Sequence, residues 1–233
     1  LQWEKYSKPF YLFTALMLVV AFGAIFFYLP VMKDSAGNAL DSSFNIFYFH
    51  MPIAIVAYLA FFVVFISSIL YLRENDQKWD EVSLSAAEVG VIFAFLVLAT
   101  GSIWAKAIWG WYWVWEPRLT TSLVLFLVYV GYLMLRTALD DPLKRARLSA
   151  VFGILAFVSV PLSFLSIRIW RSAHPLMFGG SLYGQGGGGL EGTSLLLVLI
   201  LNMLAFLMLF VSLTSFKFKN EKFERELDMY KGR

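Results

Sequence analysis

This chain of 233 residues is 60% hydrophobic and only 15% charged, with a mean hydropathy of +0.71, which excludes an ordinary water-soluble domain. Its net charge of +3 is small and its basic residues gather in short segments between apolar stretches, so no nucleic-acid partner is expected. The absence of cysteine excludes disulfides, thiolate metal sites and covalent heme attachment through Cys-x-x-Cys-His within these residues.

A hydrocarbon core is spanned by about 20 apolar residues. Six stretches qualify, near residues 10–31, 46–72, 83–104, 119–139, 148–167 and 193–216. They predict an all-α protein, a bundle of six transmembrane helices forming one integral membrane domain over residues 1–233. The first stretch is too long for the apolar core of a cleaved signal and lacks a small-residue cleavage site, so it reads as a span. The second opens on Tyr48-Phe49-His50-Met51-Pro52, which puts His50 at a membrane boundary. In the third, Glu88 lies close to one helix end and reads as a paired or water-facing carboxylate rather than a proton relay. Between the third and fourth lies Trp109-Gly110-Trp111-Tyr112-Trp113-Val114-Trp115-Glu116-Pro117-Arg118, holding four of the eight tryptophans. The fifth carries Pro161, expected to bend it. Arg168, Arg171 and His174 follow, then a glycine run from Gly179 to Gly192 that reads as a loop. The sixth contains Asn202, an expected packing contact.

Orientation follows from the basic residues, which favour the cytoplasmic side. Lys33, Lys106, Arg118, Arg168 and Arg171 fall on one side, and the other lysines and arginines of the 19 fall on the opposite one. Both termini are therefore expected in the cytoplasm, with three loops outside. That topology gathers His50, His174 and the tryptophan-rich loop at one outer interface.

The alternating tryptophans would share one side of an extended segment. In a helix, Trp109 and Trp113 would lie opposite Trp111 and Trp115. Either way a large aromatic surface faces lipid headgroups or a flat apolar ligand. Two histidines and such a surface are the parts needed to hold a heme. Neutral imidazoles supply axial nitrogens, aromatic faces cover the porphyrin, and Lys106, Arg118, Arg168 and Arg171 are candidate partners of the propionates. Interfacial anchoring in the lipid bilayer is the plainer reading of each tryptophan singly. Glu116 is expected to pair with Arg118 or to cap the fourth helix, where Thr120 and Thr121 also offer hydroxyls.

The run Trp109-Gly110-x-Tyr112-Trp113-Val114-Trp115-Glu116-Pro117-Arg118-Leu119-Thr120 resembles the tryptophan-rich "WWD" signature of heme-handling proteins of cytochrome c assembly. Its Arg118-Leu119-Thr120 ending, Tyr48-x-His50-x-Pro52, Thr100-Gly101-Ser102-Ile103-Trp104 and Tyr129-Val130-Gly131 are similar to the heme exporter protein C (cytochrome c maturation protein C) family. The chain departs from that pattern in Glu116, usually Asp, and in Tyr112, where Trp is common. The resemblance implies a non-enzymatic, multi-pass protein of the cytoplasmic (inner) membrane that binds heme b transiently and non-covalently at its outer, periplasmic face. It implies His50 and His174 as axial ligands of the heme iron. Trp104, Trp109, Gly110, Tyr112, Trp113, Trp115, Glu116 and Arg118 would form the heme platform and the chaperone-docking surface. Expected partners are a membrane-anchored periplasmic-type heme chaperone, a small single-helix membrane protein and ATP-binding-cassette transporter subunits, since no phosphate-binding loop occurs in this sequence. The rival reading is a permease for a non-heme solute, with the tryptophans as gate or anchor. A transmembrane cytochrome b would need an inner histidine pair that the sequence lacks.

Overall fold

In hydrocarbon every backbone N–H and C=O must be satisfied within the protein, so an apolar chain crosses as helices or as a closed barrel. The computed structural model, which describes residues 2–31, 42–170, 174 and 193–230, takes the helical solution. Helix α1 (Gln2–Phe27) is followed by a 3-10 turn (Ser42–Ile46), α2 (Phe47–Glu74), α3 (Gln77–Trp109) and α4 (Pro117–Thr137). Then come α5 (Pro142–Ala156), α6 (Ser159–Ile169) and α7 (Thr193–Tyr230). No strand occurs among the described residues, and 6 segments are long and apolar enough to cross a bilayer, α5 and α6 together forming one of them. The expected all-α class and six spans are what the chain adopts.

Helix ends follow local chemistry more closely than hydropathy. Helix α3 extends beyond its apolar stretch at both ends. Asp76 caps its start by accepting the Lys78 N–H at 2.9 Å, and Gly110 ends it in the left-handed region at φ 79°. Asp141 and Glu116 cap α5 and α4, each followed by a proline at the first helical position. Helix α7 runs on to Tyr230, past its apolar part, through charged and polar pairs at i,i+4 such as Lys222–Glu226 and Asn220–Glu224. Pro161 does more than bend the fifth span. It has no N–H to offer the Phe157 carbonyl, which takes the Val160 N–H at 3.0 Å instead, and the span divides into α5 and α6.

The bundle centre is built on α2 and α3, where Ala57, Ala60, Ala86 and Ala87 are buried and allow the helices to approach closely. Phe61 of α2 stacks on Tyr129 of α4 with ring centroids 3.6 Å apart. Asn202 of α7 donates to the Ala21 carbonyl of α1 at 3.3 Å, the expected packing role. At the end where α3 begins, Arg136 donates to both carboxylate oxygens of buried Asp80, at 2.6 and 2.7 Å. Arg225 pairs there with Glu81, and Lys217 meets Glu88 at 2.6 Å. Glu88 is thus a paired carboxylate. The end where α3 finishes carries both histidines and the tryptophan-rich segment.

Candidate functional site

His50 stands in the first turn of α2 and rests against the last turns of α3. Its Nδ1 lies 2.7 Å from Thr100 Oγ1. Gly101 leaves room for the ring, since a Cβ there would come within 3.1 Å of His50 Cε1. Trp104, nearly one turn further along α3, meets the imidazole edge-on at 6.0 Å between centroids. Thr100, Gly101 and Trp104 form a seat for His50 because Trp104 lies four residues from Thr100 and three from Gly101, the spacings that make neighbours on a helix surface.

The tryptophan-rich segment adopts neither single geometry. Trp109 is the last residue of α3, and Gly110 turns the chain, its N–H bonded to the Lys106 carbonyl at 3.1 Å. Residues 111–116 follow without regular structure. Glu116 then caps α4, its Oε1 accepting the Leu119 N–H at 3.3 Å. The same oxygen lies 3.1 Å from His174 Nδ1, both side chains largely buried. Trp109 meets His174 edge-on at 5.7 Å. Each histidine therefore has one tryptophan edge beside it and one oxygen at Nδ1, and both oxygens come from α3 or the segment that follows it.

Arg118 is held inside the bundle. Its Nη1 donates to the Ser163 carbonyl of α6 at 2.7 Å, and the guanidinium lies 5.8 Å from the Tyr58 ring centroid. A cavity of about 450 Å³ opens between α2, α6 and α7. His50, His174, Trp104, Arg118 and Arg168 line it, with apolar neighbours that include Met51, Ile55, Phe164 and Met203. A second space of about 190 Å³ shares Trp104 and His174 with the first and adds Trp109 and Phe44. A gap of about 40 Å³ touches both histidines, Arg118 and Trp113.

The expected site residues thus divide. His50, His174, Trp104, Trp109, Trp113, Arg118 and Arg168 converge on these connected spaces. Trp111, Tyr112 and Trp115 are exposed at 70%, 62% and 76%, so the segment offers an outward face as well as an inward one. Trp113 packs edge-on against Trp115 at 5.5 Å and links the two. Lys106 donates to the Gly110 carbonyl at 2.8 Å and sits 5.5 Å from the Tyr112 ring centroid, lining none of these spaces. Arg171 and the glycine run lie outside the described residues.

Sequence reasoning named Thr100 only as part of the Thr100-to-Trp104 motif, with no role, and did not single out Tyr58 or Ser163. A threonine on a helix and a serine in an apolar span carry no signal until the helices are packed. Nor did it anticipate that the indole N–H groups of Trp104 and Trp113 would be buried with no acceptor among the described residues. Buried donors are nearly always satisfied, so these two are exceptions among the described residues. Two imidazoles, flat apolar walls and two guanidiniums suit a planar ligand that has a metal centre and an acidic edge.

Fold and site define a multi-pass helical membrane protein with a histidine-paired, aromatic-walled cavity at one end of its bundle. A family model described as heme exporter protein C matches residues 2–232, and the chain belongs to that family. It is 34% identical to the heme exporter protein C of Bradyrhizobium diazoefficiens over 183 residues, 78% of this chain and 68% of the relative. The protein of that name from Haemophilus influenzae is 32% identical, over 77% of this chain and 72% of its own. That from Paracoccus denitrificans is 29% identical, over 78% and 75%.

Proposed function

We propose that this protein binds heme b non-covalently between His50 and His174 and presents it to a membrane-anchored heme chaperone during cytochrome c maturation. Membership of the heme exporter protein C family supports a heme-handling role. The observation that carries the site is the convergence of the chain's only two histidines on one cavity walled by apolar side chains. The residues fit the cargo. His50 and His174 would take the iron, which accepts two imidazole nitrogens. Arg118 and Arg168 would meet the propionates, while Trp109, Met51 and Phe164 cover apolar faces.

Holding a cargo without trapping it requires reversible bonds. Imidazole ligation is reversible, and the chain has no cysteine for thioether attachment. By the positive-inside rule both termini would lie in the cytoplasm and the site would face the outside of the inner membrane. Exposed Trp111, Tyr112 and Trp115 would then form the surface that the chaperone meets. Energy for release of the loaded chaperone would come from ATP-binding-cassette subunits, with a small single-helix protein completing the assembly.

The test is the visible spectrum of purified wild-type protein beside His50→Ala and His174→Ala, each titrated with heme. A heme band in the wild type that weakens or shifts in each variant, with reduced transfer to an added chaperone, is the expected result. Wild-type spectra and transfer in both variants would refute the ligand assignment. A protein that stays colourless with excess heme would favour a permease for another solute.

A further inference from the structure

The contact between His50 and Thr100 determines which nitrogen of the imidazole carries the proton. Thr100 Oγ1 lies 2.7 Å from His50 Nδ1 and also 2.7 Å from the Leu96 carbonyl oxygen one turn back on α3. The Val97 carbonyl is a more distant neighbour at 3.5 Å. A carbonyl oxygen only accepts, and a threonine hydroxyl has one proton. If that proton pointed to His50, the hydroxyl and Leu96 oxygens would face each other at hydrogen-bond distance with no hydrogen between them. If it goes to Leu96, as threonines in helices commonly arrange, the hydroxyl lone pair is left for an N–H on Nδ1. Only the second arrangement satisfies both short contacts.

We infer that Thr100 is a positioning residue that holds His50 in its Nδ1–H tautomer, leaving Nε2 as the bare nitrogen for the heme iron. The inference rests on the reading of His50 as an axial ligand. Neutral histidine in water favours the opposite tautomer, with the proton on Nε2, so an isolated His50 would offer the iron the wrong nitrogen most of the time. Which nitrogen binds a metal is set by the hydrogen bond the other one makes. Here that bond comes from a helix already anchored by its own backbone, and Gly101 provides the space for the ring to reach it. The acceptor is also neutral. A hydroxyl fixes the ring without loading it with the charge that a carboxylate partner would supply.

The two histidines make the test direct, because ¹⁵N-histidine labelling of the heme-free protein yields only two imidazole signatures and His50→Ala identifies which is which. In the wild type, His50 is expected to show a protonated Nδ1 and an unprotonated Nε2. Thr100→Val should shift that ring toward the Nε2–H form and weaken heme binding about 10-fold or more, the usual consequence of losing a partner of a metal-binding histidine. Thr100→Ser retains the hydroxyl and should retain both the tautomer and the heme spectrum. Should Thr100→Val fail to fold, the wild-type tautomer decides alone, since Nε2–H in the wild type overturns the inference. A Thr100→Val protein with the wild-type tautomer and heme affinity also overturns it, provided His50→Ala has lost its heme band. If His50→Ala binds heme like the wild type, the axial-ligand reading itself fails, whatever the tautomer.

Discussion

Replacing Gly101 with alanine separates the seat of His50 from the stability of the helix that provides it. Gly101 lies inside α3, where alanine is favoured over glycine by about 1 kcal/mol, so the helix itself gains. The new Cβ would stand 3.1 Å from His50 Cε1, against an ordinary carbon–carbon contact of about 3.5–4.0 Å. The ring must therefore retreat from α3 by about half an ångström. It has space to do so, because it borders the 450 Å³ cavity. The retreat draws Nδ1 away from Thr100, taking a 2.7 Å contact to the outer limit of a good hydrogen bond. The bond is strained and weakened, by up to about 1 kcal/mol. The imidazole also moves by more than the ~0.2 Å that metal–ligand distances tolerate. Because about 1.4 kcal/mol is tenfold in affinity, that loss should weaken heme binding by roughly 5-fold. Thermal unfolding of the heme-free protein in detergent, beside a heme titration followed in the Soret region, reads both quantities. The expected pair is an unchanged or higher melting temperature with weaker heme binding. Unchanged heme affinity would refute the seat, and a marked fall in melting temperature would refute the claim that the cavity absorbs the shift.

Two further outcomes test the rest of the molecule. Asp80→Ala leaves the Arg136 guanidinium buried without its bidentate partner and should cost about 3–5 kcal/mol of stability, read as a lower melting temperature. Adding Arg136→Met should recover much of that loss, and no recovery would argue against a desolvated charge as its cause. Trp111→Ala with Trp115→Ala removes the two most exposed tryptophans of the segment. Membrane abundance and the heme spectrum should stay at wild-type level while transfer to the chaperone slows, and wild-type transfer would refute a docking role.

The six spans were legible in the sequence because the causes are local. Bilayer thickness sets the length of an apolar run, and backbone satisfaction in lipid makes that run a helix. Glu116, read as a possible cap of the fourth helix, and Pro161, read as a bend, then act within a few residues of themselves. Hydropathy missed the extra turns of α3 and α7 because caps and ion pairs, rather than apolarity, carry a helix beyond the membrane. His50, His174 and the tryptophan-rich segment were identifiable by residue type and position, and the family pattern is written in contiguous motifs. Their partners were not. Thr100 lies 50 residues from His50, Glu116 58 from His174, and Asp80 56 from Arg136. Such pairs exist only once helices have packed at one register, since a hydroxyl or carboxylate has the same composition whether it meets a histidine or water. Packing also decided which tryptophans face the cavity and which face outward, because α3 ends at Trp109, inside the motif, and the chain changes geometry there. The spans were therefore determined residue by residue along the chain, whereas the surroundings of the histidines were decided by the approach of α2, α3, α4 and α6.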